Sequence, residues 1–148
     1  MLSGAFDGTG HVIRNLSINR PDNDSVGLFG CTSGAIVKNT VLDNATVTGM
    51  HNVGALVGKS TNGSITNCAS SGRVTGQGGR VGGLAGFSFY GSISFCSSSA
   101  GVTAYGNEVG GIVGYSEYTD LANCTATGQV NGFAESVGGL VGGNDYGS

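Results

Sequence analysis

The chain has 148 residues with 30 glycines and one proline, and its formal net charge is −3. Hydrophobic residues make up 39% of it, too many for a disordered glycine-rich linker, and the glycines lack the three-residue period of collagen. Charged residues make up only 10%, so no basic stripe could neutralise nucleic-acid phosphates or hold an anionic membrane surface. No apolar run approaches the ~18 residues of a membrane span. We therefore predict a folded domain without a nucleic-acid partner and without direct membrane insertion.

The N-terminal segment 1–25 differs from the rest of the chain. Val12, Leu16 and Ile18 lie between polar neighbours, broadly in the alternation of a half-buried strand. The Asp-Gly-Thr-Gly segment at 7–10 is typical of turns. Because terminal units of repeat proteins are usually atypical, we interpret this segment as a leading coil.

A glycine-rich phrase close to Val-Gly-Gly-Leu-Val-Gly then recurs along the chain. Its five copies begin at Val26, Val53, Val81, Val109 and Val137. The first interval is 53−26 = 27, and the next three (81−53, 109−81 and 137−109) are each 28. A fixed period of this size indicates a repeat architecture.

Two more apolar pieces follow each phrase. One contains an aliphatic residue that we place in a single column: Ile36, Ile65, Ile93 and Leu121. The other centres on Val47, Val74, Val102 and Val130. All pieces are too short for helices, and glycine interrupts every window with helical spacing. The pattern predicts an all-β fold, a parallel β-solenoid (β-helix) with about 28 residues per coil, and right-handed by the usual rule for parallel crossovers.

The period also predicts the organisation of the chain. Repeats would span 26–52, 53–80, 81–108 and 109–136, with a partial last coil at 137–148, all in one solenoid domain. Both ends would expose strand edges, which favours end-to-end or edge self-association. The chain stops soon after its fifth phrase and begins without a signal peptide, so we expect a fragment of a longer protein.

The phrases at Val81–Gly86, Val109–Gly114 and Val137–Gly142 resemble the GLUG motif. The lead-in Phe6–Ile18 resembles the segment that commonly precedes such repeats. The resemblance covers nearly the whole chain, although the first phrase is one residue short.

GLUG repeats occur in bacterial adhesin-like surface proteins and beside the peptidase region of some secreted immunoglobulin A proteases. The resemblance thus implies a non-catalytic module of a secreted or cell-surface protein, which acts as a stalk or binds a host or surface glycan or protein. It also implies an extracellular or cell-surface location. An accessory domain of a secreted protease is the alternative.

Two columns of the predicted solenoid are interpreted as structural ladders. The thiol column consists of Cys68, Cys96 and Cys124. Stacked side chains point the same way, which disfavours disulfides, and no Cys-x-x-Cys or nearby histidine indicates a metal site. The amide column consists of Asn39, Asn67 and Asn123, whose side chains could hydrogen-bond from coil to coil.

The aromatic column is the candidate ligand-binding site. Tyr90, Tyr118 and Tyr146 recur at the repeat interval and follow the glycine-rich phrase at a predicted turn. Exposed rings at regular spacing could contact sugars or a partner protein. Alternatively, the rings could stack on one another and cover the edge of the solenoid.

A threonine column suggests a further alternative, an ice-binding solenoid. Thr48, Thr75 and Thr103 are followed by Asn131 at the same position. The neighbouring column is irregular, however, and reads Thr46, Arg73, Gly101 and Gln129.

No catalytic constellation emerges from the sequence. Solenoids that cleave polysaccharides need two carboxylates facing one groove, and only Glu117 and Asp145 share a column on adjacent coils. His11 and His51 have no serine or cysteine partner that the spacing can place. The Asp-Asn-Asp segment at 22–24 lacks the full pattern of a calcium loop. We predict no enzymatic activity, no cofactor and no metal.

Overall fold

The computed structural model describes all residues from 1 to 148 and consists of short strands joined by turns. In chain order the strands are β1 (Ala5–Asp7), β2 (Val12–Arg14), β3 (Ser17–Asn19), β4 (Phe29–Ser33), β5 (Ile36–Lys38), β6 (Val41–Gly49), β7 (Val53–Gly54), β8 (Val57–Thr61), β9 (Ser64–Thr66), β10 (Ala69–Gly76), β11 (Val81–Gly82), β12 (Ala85–Ser94), β13 (Ser97–Ser98), β14 (Gly101–Ala104), β15 (Val109–Gly110), β16 (Val113–Ala122), β17 (Thr125–Ala126), β18 (Val130–Gly132), β19 (Val137–Gly138) and β20 (Val141–Asp145). No helix is long and apolar enough to cross a membrane.

Three parallel sheets surround a single core. The first contains β1, β4, β5, β8, β9, β12, β16 and β20, and the second contains β2, β3, β6, β10, β13, β14, β17 and β18. The third, formed by the glycine-rich phrases, contains β7, β11, β15 and β19. Val81 pairs with Val53 on one side and with Val109 on the other, so one repeat is one coil. The predicted parallel β-solenoid and its period are therefore confirmed.

The core is built from one side chain per coil in each column. Leu56, Leu84 and Ile112 are fully buried at equivalent positions of three phrases. Val47, Val74 and Val102 form a second such column, as the spacing predicts. Along β6 the side chains alternate between core and solvent, because successive residues of a strand point to opposite faces.

The glycines of the phrase are required by close backbone approach. A Cβ added to Gly82 would lie 2.7 Å from the backbone nitrogen of Gly114 on the next coil. Neither Gly82 nor its neighbour Gly83 has a positive φ, so a left-handed turn does not explain this glycine pair. Glycine pairs in a sequence are compatible with a tight bend or with a close approach, and here the structure selects the close approach.

One predicted column is wrong by a residue. Ile36 pairs with Ser64 and is 47% exposed, whereas Val37 pairs with Ile65 and is buried in the core. Ile36 precedes Ile65 by 65−36 = 29 residues, whereas paired residues of β5 and β9 are 28 apart, so the predicted column is one residue out of register there. A shift of one residue turns a strand side chain from the core to the solvent.

The first glycine-rich phrase is one residue short, and a bulge between β6 and β10 compensates for that missing residue. Leu42 pairs with Ser70, but Ala45 pairs with Gly72, so the spacing falls from 28 to 27 over a short stretch. Gly72 has a φ of 112° and sits against the backbone of Ala45, where a Cβ would collide. Glycine is therefore the residue that this bulge accepts.

The coils bend at columns of residues with left-handed backbone. One such column is Ser25, Asn52, Arg80, Glu108 and Ser136, with φ between 53° and 67°. A second is Gly34, Asn62, Tyr90, Tyr118 and Tyr146. A third is Asn39, Asn67, Phe95 and Asn123. Glycine and asparagine adopt this conformation most easily, so the other occupants are of interest.

Replacing Leu84 by alanine should lower the free energy of unfolding by about 2–5 kcal/mol, because the side chain is fully enclosed and leaves a cavity. Leu140 holds the same phrase position on the last coil and is only partly buried. Leu140→Ala, the matched control, should therefore cost clearly less. Urea unfolding followed by circular dichroism measures both, and equal costs would contradict this account of the core.

Candidate functional site

Tyr90, Tyr118 and Tyr146 form a continuous stack on the surface. The ring centroids of Tyr90 and Tyr118 are 4.6 Å apart with an interplanar angle of 2°. Those of Tyr118 and Tyr146 are 4.8 Å apart at 9°. The ring of Phe89 meets the edge of Tyr90 with a centroid separation of 4.5 Å. We call the three tyrosines the tyrosine column.

The tyrosine column occupies backbone positions that suit other residues better. Its φ values are 50°, 48° and 55°. The first two coils carry Gly34 and Asn62 at this corner, which are the residue types that tolerate left-handed backbone. An aromatic residue in this conformation carries a local energetic cost of order 1 kcal/mol, so three in succession need a compensating interaction or role. Ring stacking supplies part of that compensation.

Stacking also determines which surfaces the tyrosines offer. Tyr118 is covered on both faces by its neighbours and still exposes 40% of its surface. Tyr90 exposes 50% and Tyr146 78%. The column therefore presents ring edges and hydroxyl groups rather than open faces. The rings are thus both stacked and partly exposed, and ligand binding by these residues stays a prediction.

A second group of rings lies beside the tyrosine column and holds a cation. The guanidinium of Arg80 lies 4.8 Å from the ring centroid of Phe87 and 5.0 Å from that of Tyr115. The hydroxyl of Tyr115 donates a 2.6 Å hydrogen bond to Asp145 Oδ2. That hydrogen bond, with burial and the nearby negative charge, raises the pKa of Tyr115 to about 12. Tyr115 therefore stays a neutral hydrogen-bond donor at physiological pH.

The sequence profile of the GLUG motif matches residues 49–75 and 105–131. The starts of the two matches differ by 105−49 = 56, which is two coils. Each matched range covers a glycine-rich phrase and the strands that follow it around the core. The chain carries the GLUG motif. The resemblance seen in the sequence is thereby confirmed.

Two known proteins are similar to this chain, one in sequence and one in structure. The chain is 46% identical over 76 residues to halomucin from Haloquadratum walsbyi, an alignment that covers 51% of this chain and 1% of halomucin. The solved structure of a candidate immunoglobulin A1 protease from Bacteroides ovatus superposes with a TM-score of 0.76 and 26% identity. That superposition covers 95% of this chain and 46% of the other. Each match thus spans less than half of the known protein.

The thiol column of the GLUG solenoid points inward and is reduced. Cys68, Cys96 and Cys124 are free, and the first two are buried. Each Sγ lies 3.2–3.4 Å from the backbone carbonyl oxygen two residues earlier and 3.5–3.8 Å from a carbonyl oxygen of the preceding coil. Hydrogen bonding to the flanking thiols and burial raise the pKa of Cys96. The hydrogen bond from Cys96 lowers the pKa of Cys124 to about 6 and also lowers that of Cys68.

The amide column is joined only over its first members. Asn67 Nδ2 donates to Asn39 Oδ1 at 2.8 Å, and Asn39 Nδ2 donates to Asp7 Oδ1 at 2.9 Å. The bond from Asn39 is the main reason why the pKa of Asp7 lies below its usual value. Phe95 holds the next position and separates Asn123 from this ladder.

The remaining candidates keep their predicted neighbours but form no reaction centre. Glu117 and Asp145 are paired in register, and Asp145 is engaged by Tyr115. His51 Nδ1 lies 3.0 Å from Asp24 Oδ1, and His11 bonds only to residues of its own turn. No group of three His, Cys, Asp or Glu side chains could hold a metal ion.

The threonine column is in register, but its surroundings are uneven. Thr48, Thr75 and Thr103 pair directly and end at Asn131. The adjacent outward column holds an arginine and a glycine at Arg73 and Gly101. This face therefore lacks the second regular rank that matching to an ice lattice would require.

One pair of surface rings is absent from the sequence-based candidates. Tyr105 and Phe133 stack with centroids 5.2 Å apart and an interplanar angle of 8°. Their positions differ by 133−105 = 28, so the period is a sufficient signal for them. They lie in the turn that precedes the phrases at Val109 and Val137, and the preceding coil carries Gln77 at this position, so the aromatic column has only two members.

The rate of cysteine alkylation should distinguish Cys124 from Cys96. The thiolate is the reactive form, so a pKa near 6 makes Cys124 reactive at pH 7, with its rate falling by half near pH 6. Buried Cys96, whose pKa is raised, should react only after unfolding. Iodoacetamide labelling across pH, read by peptide mass spectrometry in a Cys31→Ser background, measures this. A half-rate for Cys124 near the ordinary value of 9.0 would contradict the hydrogen-bonded ladder.

Proposed function

We propose that this chain is a non-catalytic repeat module of a secreted or cell-surface adhesin-like protein. In this proposal the solenoid is a stiff stalk, and the tyrosine column contacts a glycan or a partner protein. The observation that carries the proposal is the occupation of three successive left-handed corners by Tyr90, Tyr118 and Tyr146. The first two coils show that the fold accepts Gly34 and Asn62 there, so folding alone does not require aromatic rings.

Stiffness follows from the way the coils are joined. The three coils 53–80, 81–108 and 109–136 each add strands to all three sheets, and core side chains of successive coils pack into one cluster. The stability of such arrays is close to a sum of coil and interface terms, so added coils extend the stalk without new folding rules. A module of this kind separates or presents other parts of a protein, which is the stalk role.

The tyrosine column offers a repeating set of polar contacts. Its hydroxyls recur once per coil, with rings 4.6–4.8 Å apart, and its ring edges carry partial positive charge. An extended ligand with hydroxyl or carbonyl acceptors could follow the column from one coil to the next. The recognition is expected through edges and hydroxyls, since the inner faces are already stacked.

The absence of a catalytic role is also part of the proposal. The acidic pair Glu117 and Asp145 is the sole one that the sequence aligns on adjacent coils, and Asp145 is tied to Tyr115. A second candidate, an accessory domain of a secreted protease, is favoured by the similarity to the candidate immunoglobulin A1 protease. Under both candidates the chain itself performs no chemistry. An extracellular location and self-association through the strand edges also remain proposals.

Replacing Tyr90, Tyr118 and Tyr146 together by asparagine should remove binding and leave the fold intact, because Asn62 already occupies this corner. A glycan and cell-surface protein array compares the triple variant with the wild type, and thermal unfolding checks the fold. Binding retained at wild-type strength would rule out the tyrosine column as the contact surface. No binding by the wild type would leave only the stalk role.

Incubation with immunoglobulin A1 should leave the antibody uncut, because no nucleophile paired with a base, metal cluster or free carboxylate pair is assembled in this chain. Gel electrophoresis after prolonged incubation measures the outcome. Cleavage that persists through repurification and disappears in a heat-unfolded sample would show that the chain is an enzyme.

A further inference from the structure

The stacked pair Tyr105 and Phe133 borders a polar cleft that nothing described above uses. Tyr105 is 56% exposed and Phe133 70% exposed, so this pair, unlike Tyr118, keeps open ring surface. Tyr105 lines one cleft of about 670 Å³ and a second, smaller cleft of about 340 Å³. Tyr105, with Phe133 stacked on it, therefore forms a ridge between the two clefts.

The larger cleft contains one arginine–glutamate ion pair, one histidine–aspartate hydrogen bond and two amides. With His51 counted as neutral, the charges of Asp24, Glu108 and Arg80 add up to −1 − 1 + 1 = −1, which disfavours an anionic ligand. His51 Nδ1 lies 3.0 Å from Asp24 Oδ1, and Arg80 Nε lies 3.1 Å from Glu108 Oε2. Asn52 and Asn107 complete the polar lining. Glu108 is paired with Arg80, and Asp24 is hydrogen-bonded to His51, so neither carboxylate is without a partner. Its lining suits a ligand that is polar but uncharged.

Asn52 supplies the observation that points to a ligand. Its Oδ1 atom is buried without any hydrogen-bond partner, and it is the only buried side-chain nitrogen or oxygen in the chain of which this is true. A buried unpaired acceptor costs free energy, about 1–3 kcal/mol, and native structures seldom retain one without a reason. The oxygen is turned away from the cleft that Asn52 lines, and a 180° turn of the amide would present it there to a ligand hydroxyl group.

The glycines that line the cleft allow close approach between successive coils. A Cβ on Gly79 would lie 2.5 Å from the carbonyl oxygen of Asn107, and one on Gly106 would lie 2.5 Å from the carbonyl carbon of Gly78. Side chains are thus excluded from this turn on two successive coils. Arg80 and Glu108 bend the chain beside it with φ of 62° and 67°, which is uncommon for such residues.

We propose that this cleft binds a neutral glycan, with a pyranose ring on the Tyr105–Phe133 ridge and hydroxyl groups directed to the side-chain amide of Asn52 and to the carboxylates of Asp24 and Glu108. Sugar C–H groups contact the faces of aromatic rings, and sugar hydroxyls match acceptors of this kind. The smaller cleft beyond Tyr105, lined by Thr103, Gln129 and Asn131, takes the next sugar unit. The site is separate from the tyrosine column.

Charge separates a neutral glycan from other ligands. Arg80 is held by Glu108 and by the rings of Phe87 and Tyr115, so it is not free to bind an anion. Acidic sugars and phosphate esters would also meet Asp24 and Glu108 at the same wall. A hydroxyl-rich neutral chain avoids both penalties.

The test is titration calorimetry of the whole chain with cellohexaose, laminarihexaose, mannohexaose and chitohexaose. We expect at least one to bind, and Tyr105→Ala/Phe133→Ala to weaken that binding by about tenfold or more. Asn52→Ser should weaken it several-fold while keeping the backbone, because Ser25 and Ser136 occupy this corner on other coils. Phe95→Ala, which removes an aromatic ring 62% exposed at another corner, is the matched control and should bind as the wild type does.

Several results would overturn the inference. They are no binding by any of the four sugars at millimolar concentration, unchanged binding by the double variant when thermal unfolding shows it folded, and tighter binding of oligogalacturonate than of every neutral sugar. If the Tyr90, Tyr118 and Tyr146 asparagine variant loses sugar binding while the double variant keeps it, the glycan lies on the tyrosine column. The proposed function would then stand and this inference would fail.

Discussion

The structure depends on a constant backbone register between successive coils. Parallel strands place each residue beside its equivalent one coil away, as Val74 lies beside Val102 and Val102 beside Val130. The inter-coil hydrogen bonds hold this register, and the spacing between strands of ~4.8 Å lets like side chains touch. Every column described here, apolar, thiol, amide or aromatic, is a consequence of that single constraint. A shift of this register by one residue would turn every side chain of a strand to the opposite face of its sheet.

The corners convert this regularity into a surface that can vary. Backbone at each corner is left-handed, and asparagine or glycine satisfies it at low cost. Where Tyr90, Arg80 or Glu108 stands there instead, the chain accepts a local penalty while the sheets remain unchanged. Corner residues can therefore change without changing the core, because the strands bury the apolar side chains and the corners hold the variable surface side chains. A repeat protein with this property can change its contacts without changing its fold.

Aromatic residues illustrate two uses of the same spacing. In the tyrosine column the rings cover one another and leave edges and hydroxyls outward, whereas Tyr105 and Phe133 remain open beside a cleft. Around Arg80 the rings serve instead to hold a guanidinium that is already paired with Glu108. With charged groups so few and so often paired, recognition by this surface relies on hydroxyls, amides and ring surfaces more than on long-range attraction.

The amino-acid sequence by itself determined the architecture and most of the columns. The constant period is enough to align Cys68 with Cys96 and Tyr90 with Tyr118, because equal spacing along a solenoid means equal position on successive coils. It also excluded membrane-spanning helices and nucleic-acid surfaces through composition alone. The family resemblance followed from the same phrases that set the period.

Only the tertiary structure determined the features that the repeat period does not specify. It placed Val37 instead of Ile36 in the core, because paired residues of β5 and β9 are 28 apart and Ile36 is 29 residues from Ile65. It formed one cleft from Asp24, Asn52 and Glu108, of which the repeat period aligns only Asn52 and Glu108. Whether rings stack closed or stay open, and whether a buried amide finds a partner, depends on side-chain direction at each corner. Those directions are set by packing between coils, which spacing along the chain does not specify.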